Sequence, residues 1–216
     1  MRHKPQFYST WLLLMLLCSI VPASVKADPI QIFSTGVDAN GNALAAGAAD
    51  PHYSIIAGPN GPENPIVIGL LPAPWNTTGA GQWIGTQLNG NAGVSGGDYT
   101  FRTTFDLTGY DPSTASLTGI VTADNSVVVF LNGVNTGISM NDFNQILSFS
   151  ITSGFVTGLN TIDFVVNNGA GTPMGLRVGI QGTVSPEAVS EPATLLLLGT
   201  GLAGVALKAR RKRQAS

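Results

Sequence analysis

Between Tyr99 and Leu107 the chain alternates with a period of two. Tyr99, Phe101, Thr103, Phe105 and Leu107 share one parity, and Thr100, Arg102, Thr104 and Asp106 share the other. Successive side chains of a strand point to opposite faces, so this spacing fits a half-buried β-strand and no face of a helix. The same grammar continues downstream. Gly109-Tyr110-Asp111-Pro112 reads as a turn, Ala115 to Ala123 as the next strand and Asp124-Asn125 as a tight turn. Val127 to Leu131 (VVVFL) is β-branched and apolar on both faces, as a central strand should be. Asn132-Gly133 then predicts a hairpin, because both residues tolerate positive φ. Leu147, Phe149 and Ile151 alternate, as do Ile162, Phe164 and Val166, then Leu176, Val178 and Ile180, with Val184 beyond. No stretch of the body sustains a helical period. Short strands separated by Gly, Asn, Asp and Thr predict an all-β chain, an antiparallel sandwich or jelly roll. Val127, Val129, Phe149, Phe164 and Val178 are expected inside it.

The earlier part of the body is less regular. Ile30 to Phe33, Tyr53 to Ile56 and Ile66 to Leu70 read as strands, while Pro72, Pro74 and TTGAGQW read as surface loops at one end of the sandwich. Trp75, between Pro74 and Asn76, is expected to expose a ring suited to stacking on a sugar; Trp83, followed by Ile84, is expected in the core. Asp124 and Asn125 carry oxygens suited to calcium or a sugar hydroxyl, although such a pair more often closes a turn through its own backbone. Asp38-Ala39-Asn40-Gly41-Asn42 has the first oxygens of a calcium loop, but Ala43 and Ala49 stand where that loop needs glycine and glutamate. A Gly/Asn-rich turn is the better reading. No resident metal and no cofactor is expected.

Both ends differ from the body. Arg2, His3 and Lys4 precede the apolar Leu12 to Val21, and Val25-Lys26-Ala27 offers small residues for cleavage after Ala27. Residues 1–27 therefore read as a secretory signal peptide. Leu17 before Cys18 departs from a lipobox. Residues 28–185 are read as the sandwich and 186–192 as a polar linker ending in Ser190-Glu191-Pro192. Residues 193–207 are read as a short transmembrane helix and 208–216 as a basic cytoplasmic tail holding Lys208, Arg210, Arg211, Lys212 and Arg213. Cations directly after an apolar run resist translocation, which keeps them on the inner side of a membrane. GTGLAG at Gly199–Gly204 spells a dinucleotide fingerprint but lacks the preceding strand and the following acid. That match is accidental.

Charge narrows the function. Only Arg102 and Arg177 lie between Asp28 and Glu191, against all twelve acids, so the body is ten charges negative. Such a surface repels a phosphate backbone and excludes nucleic acid as a partner. The single cysteine lies in the signal segment, so the body is held by its core without a disulfide.

The C-terminal stretch VSEPATLLLLGTGLAGVALKARRKR resembles the PEP-CTERM sorting tail of Gram-negative bacteria that export polysaccharide, with Ser190 where that family most often has Pro. The resemblance implies two processing partners, signal peptidase at Ala27 and an exosortase-like protease near Glu191-Pro192. It also implies an exported protein of the envelope or extracellular matrix, held transiently in the inner membrane by its tail. DPHYSII, GQWIG, FDLTGYDPSTASLTGIVTADNSVVVFLNG and GLNTIDFVVNNGAGTPMGLRV are similar to a recurrent exported domain of such proteins, which looks like a galactose-binding-like β-sandwich. That likeness implies a non-catalytic module contacting carbohydrate, with exopolysaccharide and biofilm matrix as the setting and Trp75, Asp124 and Asn125 as candidate contacts on end loops. The alternative is an exported polysaccharide-active enzyme. His52 is the sole histidine beyond the signal segment, and neither a nucleophile elbow nor a metal-ligand cluster accompanies it. A non-enzymatic protein is expected.

Overall fold

The computed structural model describes residues 26–188 and 193–214. Among them, strands follow one another as β1 (Asp28–Pro29), β2 (Ser54–Ala57), β3 (Ile66–Val67), β4 (Ile84–Gly85), β5 (Gly97–Asp106), β6 (Tyr110–Asp124), β7 (Ser126–Leu131), β8 (Val134–Met140), β9 (Leu147–Ile151), β10 (Leu159–Asn168) and β11 (Gly175–Pro186). They form two antiparallel sheets. The first is ordered β3-β4-β11-β6-β9, with β1 also paired to β11, and the second β2-β5-β10-β7-β8. Asn125 alone links β6 of one sheet to β7 of the other.

The alternation of β5 sets the second sheet. Its apolar parity aligns in register with its neighbours, placing Phe101 opposite Phe164 and Tyr99 opposite Val166, with Val129 and Val127 on the far side of β10. On the other parity Arg102 faces Asp163 and forms a two-bonded ion pair, Nε to Oδ1 at 2.6 Å and Nη2 to Oδ2 at 2.7 Å. From the first sheet Leu117, Val121, Ala123, Leu176 and Val178 are fully buried. Both apolar faces merge into one core, so the two sheets stack as a sandwich. Val127, Val129, Phe149, Phe164 and Val178 all lie in that core.

Asn132 and Gly133 adopt φ of 51° and 79° between the paired Leu131 and Val134, which is the expected hairpin turn. Other segments depart from the pattern. Ile30 to Phe33 is no strand; Asp28 and Pro29 pair with β11 instead, and the Ile32 amide turns back onto the Ile30 carbonyl at 2.9 Å, which ends the ladder. Ile30 and Ile32 are still buried. Asp111 and Pro112 belong to β6 rather than to the turn before it. The register with β11 is irregular there, between Thr183 and Ser185, and a proline without an amide hydrogen is tolerated at such a bulge.

The sandwich closes at Pro186, and a separate unit begins at Glu187. Its helix, α1 (Ala193–Gln214), runs past the expected stop at Leu207. Lys and Arg are good helix formers, so the basic run continues the helix instead of ending it. Among the described residues no helix is long and apolar enough to cross a membrane, which corrects the reading of residues 193–207 as a transmembrane helix. The expected signal peptide up to residue 25, and Glu191 and Pro192, lie outside the described residues.

Candidate functional site

Trp75 and Asp124 come together inside the protein, with Asn125 half-buried next in the chain. Trp75 is 5% exposed and Asp124 is 4% exposed, so neither presents the loop surface expected of a glycan contact. The indole Nε1 donates to Asp124 Oδ2 at 2.8 Å, and the ring lies against Trp83 at a centroid distance of 4.1 Å. Gly175, at the start of β11, makes this possible: a Cβ there would sit 2.7 Å from the Trp75 ring. Asn125 Oδ1 accepts from the Gly169 amide at 2.8 Å. The Asp124 side chain goes to the Trp75 indole and Asn125 reaches a loop 44 residues away, so neither closes the turn through its own backbone, and Trp75 is a core residue alongside Trp83.

Asp124 Oδ1 is buried with no partner among the described residues. Desolvation raises the carboxyl pKa, with the Trp75 hydrogen bond working against it. Burial likewise raises Asp50, whose oxygens take the amides of Gly36, His52 and Tyr53. A raised folded pKa means the folded state holds its proton more tightly than the unfolded chain. The stabilisation is therefore fully present below the unfolded aspartate value and is lost as pH rises through the folded one. Asp38, Asp106 and Asp111 are shifted down by local hydrogen bonds and act in the opposite sense, but they lie at the surface, where solvent screens the effect. We expect Asp124→Asn to keep an acceptor for the indole and to flatten the fall in melting temperature from about pH 4 upward. A pH profile parallel to that of the parent would show that Asp124 is not the titrating group.

Arg177, missed by the sequence reading, organises the adjacent loop. It is 2% exposed and projects from β11 beneath residues 76–81. Nε donates to the Gly81 carbonyl at 2.9 Å, Nη1 to those of Thr78 at 2.7 Å and Asn76 at 3.3 Å, and Nη2 to Thr77 at 3.0 Å and to Gly79. Desolvation lowers its pKa, and among the described residues carbonyl dipoles, not a carboxylate, answer the charge. Gly81 lets the loop lie on the sheet, since a Cβ there would come within 2.3 Å of the Val178 carbonyl oxygen. A signal existed in the sequence: Arg177 is one of only two cations in the body.

The loop held by Arg177 walls a groove on the outer face of the first sheet. One depression, of about 590 Å³, has β6, β9 and β11 as its floor, with Thr118, Ile120, Ser148, Phe149 and Gln181 in its lining. Gly79, Ala80 and Ser34 complete its edge. A second, of about 380 Å³, lies beyond the wall between residues 32–43 and 80–82. The two share Ser34, Ala80 and Ile180, so they adjoin there as one interrupted trough. Both linings consist of uncharged residues. Ser34 Oγ accepts from the Ile180 amide at 3.1 Å, which leaves its hydroxyl hydrogen to donate.

The remaining candidates fall into place more simply. His52 stacks on Phe33 at 3.8 Å with the rings 9° apart, and its Nε2 is buried without a partner among the described residues. Asp38 Oδ1 accepts the amides of Asn40 and Asn42 at 2.8 Å each, a self-closed turn. No group of three metal-binding side chains occurs among the described residues. Ala27 is exposed immediately before β1. Lys208, Arg210, Arg211, Lys212 and Arg213 are exposed on α1, and the last three of them occupy its final turn, where cations complement the helix dipole.

Residues 188–212 match the PEP-CTERM protein-sorting motif, so the chain carries that motif. No characterised protein is significantly similar to the chain in sequence. Among solved structures the chain is similar to a family 35 carbohydrate binding module from an environmental isolate, at 18% identity, 57% of this chain and 88% of that chain covered, and a TM-score of 0.28. A likeness that remote carries no functional argument.

Proposed function

We propose that this is a non-enzymatic protein exported to the cell envelope or extracellular matrix, where its sandwich, of galactose-binding-like type, makes structural or adhesive contacts with carbohydrate. The observation that carries the reading is the sorting motif at residues 188–212, directly after a single sandwich. The motif marks an exported chain and implies an exosortase as its processing partner; signal peptidase is the other. Export also suits an acidic body stabilised by its core alone. Cleavage after Ala27 leaves Asp28 and Pro29 in place on β11, so maturation spares the sheet.

A non-enzymatic role is supported by the groove, whose lining offers hydroxyls, amides and apolar surface but no acid, base or nucleophile-base pair. Glycoside hydrolysis would need two carboxylates facing each other across such a cleft.

Residues 193–207 span about 22 Å as a helix against a hydrocarbon core of about 30 Å. In this reading the segment is a temporary hold at the inner membrane: the short apolar run and the five cations keep the tail there while the polar motif is read, and the tail then leaves. Intact-mass analysis of the protein from its native host tests this. The expected species starts at Asp28 and ends near Glu191-Pro192. Most molecules retaining the Arg-rich end would instead make the tail a lasting anchor.

A further inference from the structure

We propose that the trough on the outer face of β6, β9 and β11 binds an uncharged, extended polysaccharide, its sugars lying across Ala80 from one depression into the other. This rests on the carbohydrate-contact reading above and adds the place, shape and charge of the ligand. The place is a sheet face, away from the end loops where the candidate contacts were expected.

Three observations carry it. The first is shape. Depressions of about 590 and 380 Å³ each fall in the range of a small-molecule site, and they adjoin at Ser34, Ala80 and Ile180. A trough of that form suits a chain of several rings better than one compact ligand. The second is surface chemistry. A sugar ring presents C–H faces and hydroxyl edges, and the trough answers with Ile120 and Ala80 for the former and Ser34, Thr118, Ser148 and Gln181 for the latter. Thr118, Ser148 and Gln181 are exposed and make no side-chain hydrogen bond among the described residues, so their donors and acceptors remain for a ligand.

The third is charge. Both cations of the body are committed elsewhere, Arg102 to Asp163 and Arg177 to the loop carbonyls. Neither faces the trough, whose lining is uncharged, and the body's excess of ten negative charges repels uronates, sulfates and phosphates. The wall is also held in place before a ligand arrives, because Arg177 fixes five successive or near-successive carbonyls of the loop. A preformed wall lowers the ordering cost of binding.

Affinity electrophoresis of the mature chain tests the proposal, in gels cast with neutral glucans or mannans and in gels cast with alginate or polygalacturonate. Retardation is expected in a neutral gel and not in the acidic ones. Ser148→Arg and Thr118→Arg, both at exposed strand positions, should each weaken it about tenfold or more while leaving the melting temperature within about 2 °C of the parent. Ser139→Arg, on β8 of the other sheet, should bind as the parent does. Retardation only in acidic gels, or neutral binding untouched by both trough variants, would overturn the trough and leave a carbohydrate contact elsewhere. Free migration in every gel would overturn the trough together with the carbohydrate reading.

Discussion

Replacing Arg177 by methionine is expected to lower the stability of the sandwich by about 2–4 kcal/mol, a fall of roughly 5–15 °C in melting temperature for a domain of this size. Methionine fills part of the space but donates nothing, so the carbonyls of Asn76, Thr77, Thr78, Gly79 and Gly81 all lose their partner. Thr77, Thr78 and Gly79 are exposed and can rehydrate, but only if the loop lifts from β11. Part of the loss should therefore appear as faster amide exchange across residues 76–81. Arg177→Lys keeps the charge without the planar fork, and an intermediate loss is expected. Urea titration reads the first effect and hydrogen exchange the second. A methionine variant within about 0.5 kcal/mol of the parent, with the loop still protected, would show that packing alone holds the wall.

Trp75→Ala should be comparably severe, about 3–5 kcal/mol, because it opens a cavity against Trp83 and Gly175. It also removes the indole donor from Asp124 Oδ2, beside an Oδ1 already buried without a partner among the described residues. Trp75→Phe separates the two effects. It retains much of the ring, so its cost should be about 1–3 kcal/mol, the range for a buried group left unpaired. That cost should shrink at low pH, where the carboxyl takes up its proton. Read from sequence as a surface ring, Trp75 would give an alanine variant with an unchanged melting temperature, so one thermal scan separates the interior position from the exposed one.

What the sequence discloses and what it conceals follow one rule: short-range pattern is visible and long-range fit is not. The parity of Tyr99 to Leu107 is legible because one face of β5 is buried along its whole length, so each residue repeats the message. Asn132-Gly133 is legible because the turn demands positive φ at both positions. Trp75 sits among Pro74, Asn76 and threonines, which is loop composition, and it is interior because Gly175, a hundred positions away, has no side chain. Arg177 likewise meets carbonyls 96 to 101 residues distant. Nothing near either residue announces its partner. The trough is harder still to read, being made of outward-facing Thr118, Ser148 and Gln181, which in sequence are only the polar half of an alternation.

The five bonds from Arg177 end on main-chain oxygens, and that choice of acceptor separates contour from lettering. Every residue type carries the same carbonyl, so the guanidinium is blind to which side chains stand at Thr77, Thr78 and Ala80, all of them exposed. Those positions can be rewritten while the rim keeps its course. A lineage that met a different glycan would then need to change only what the rim displays, with Arg177 and Gly81 as the fixed frame and the three outward positions as movable type.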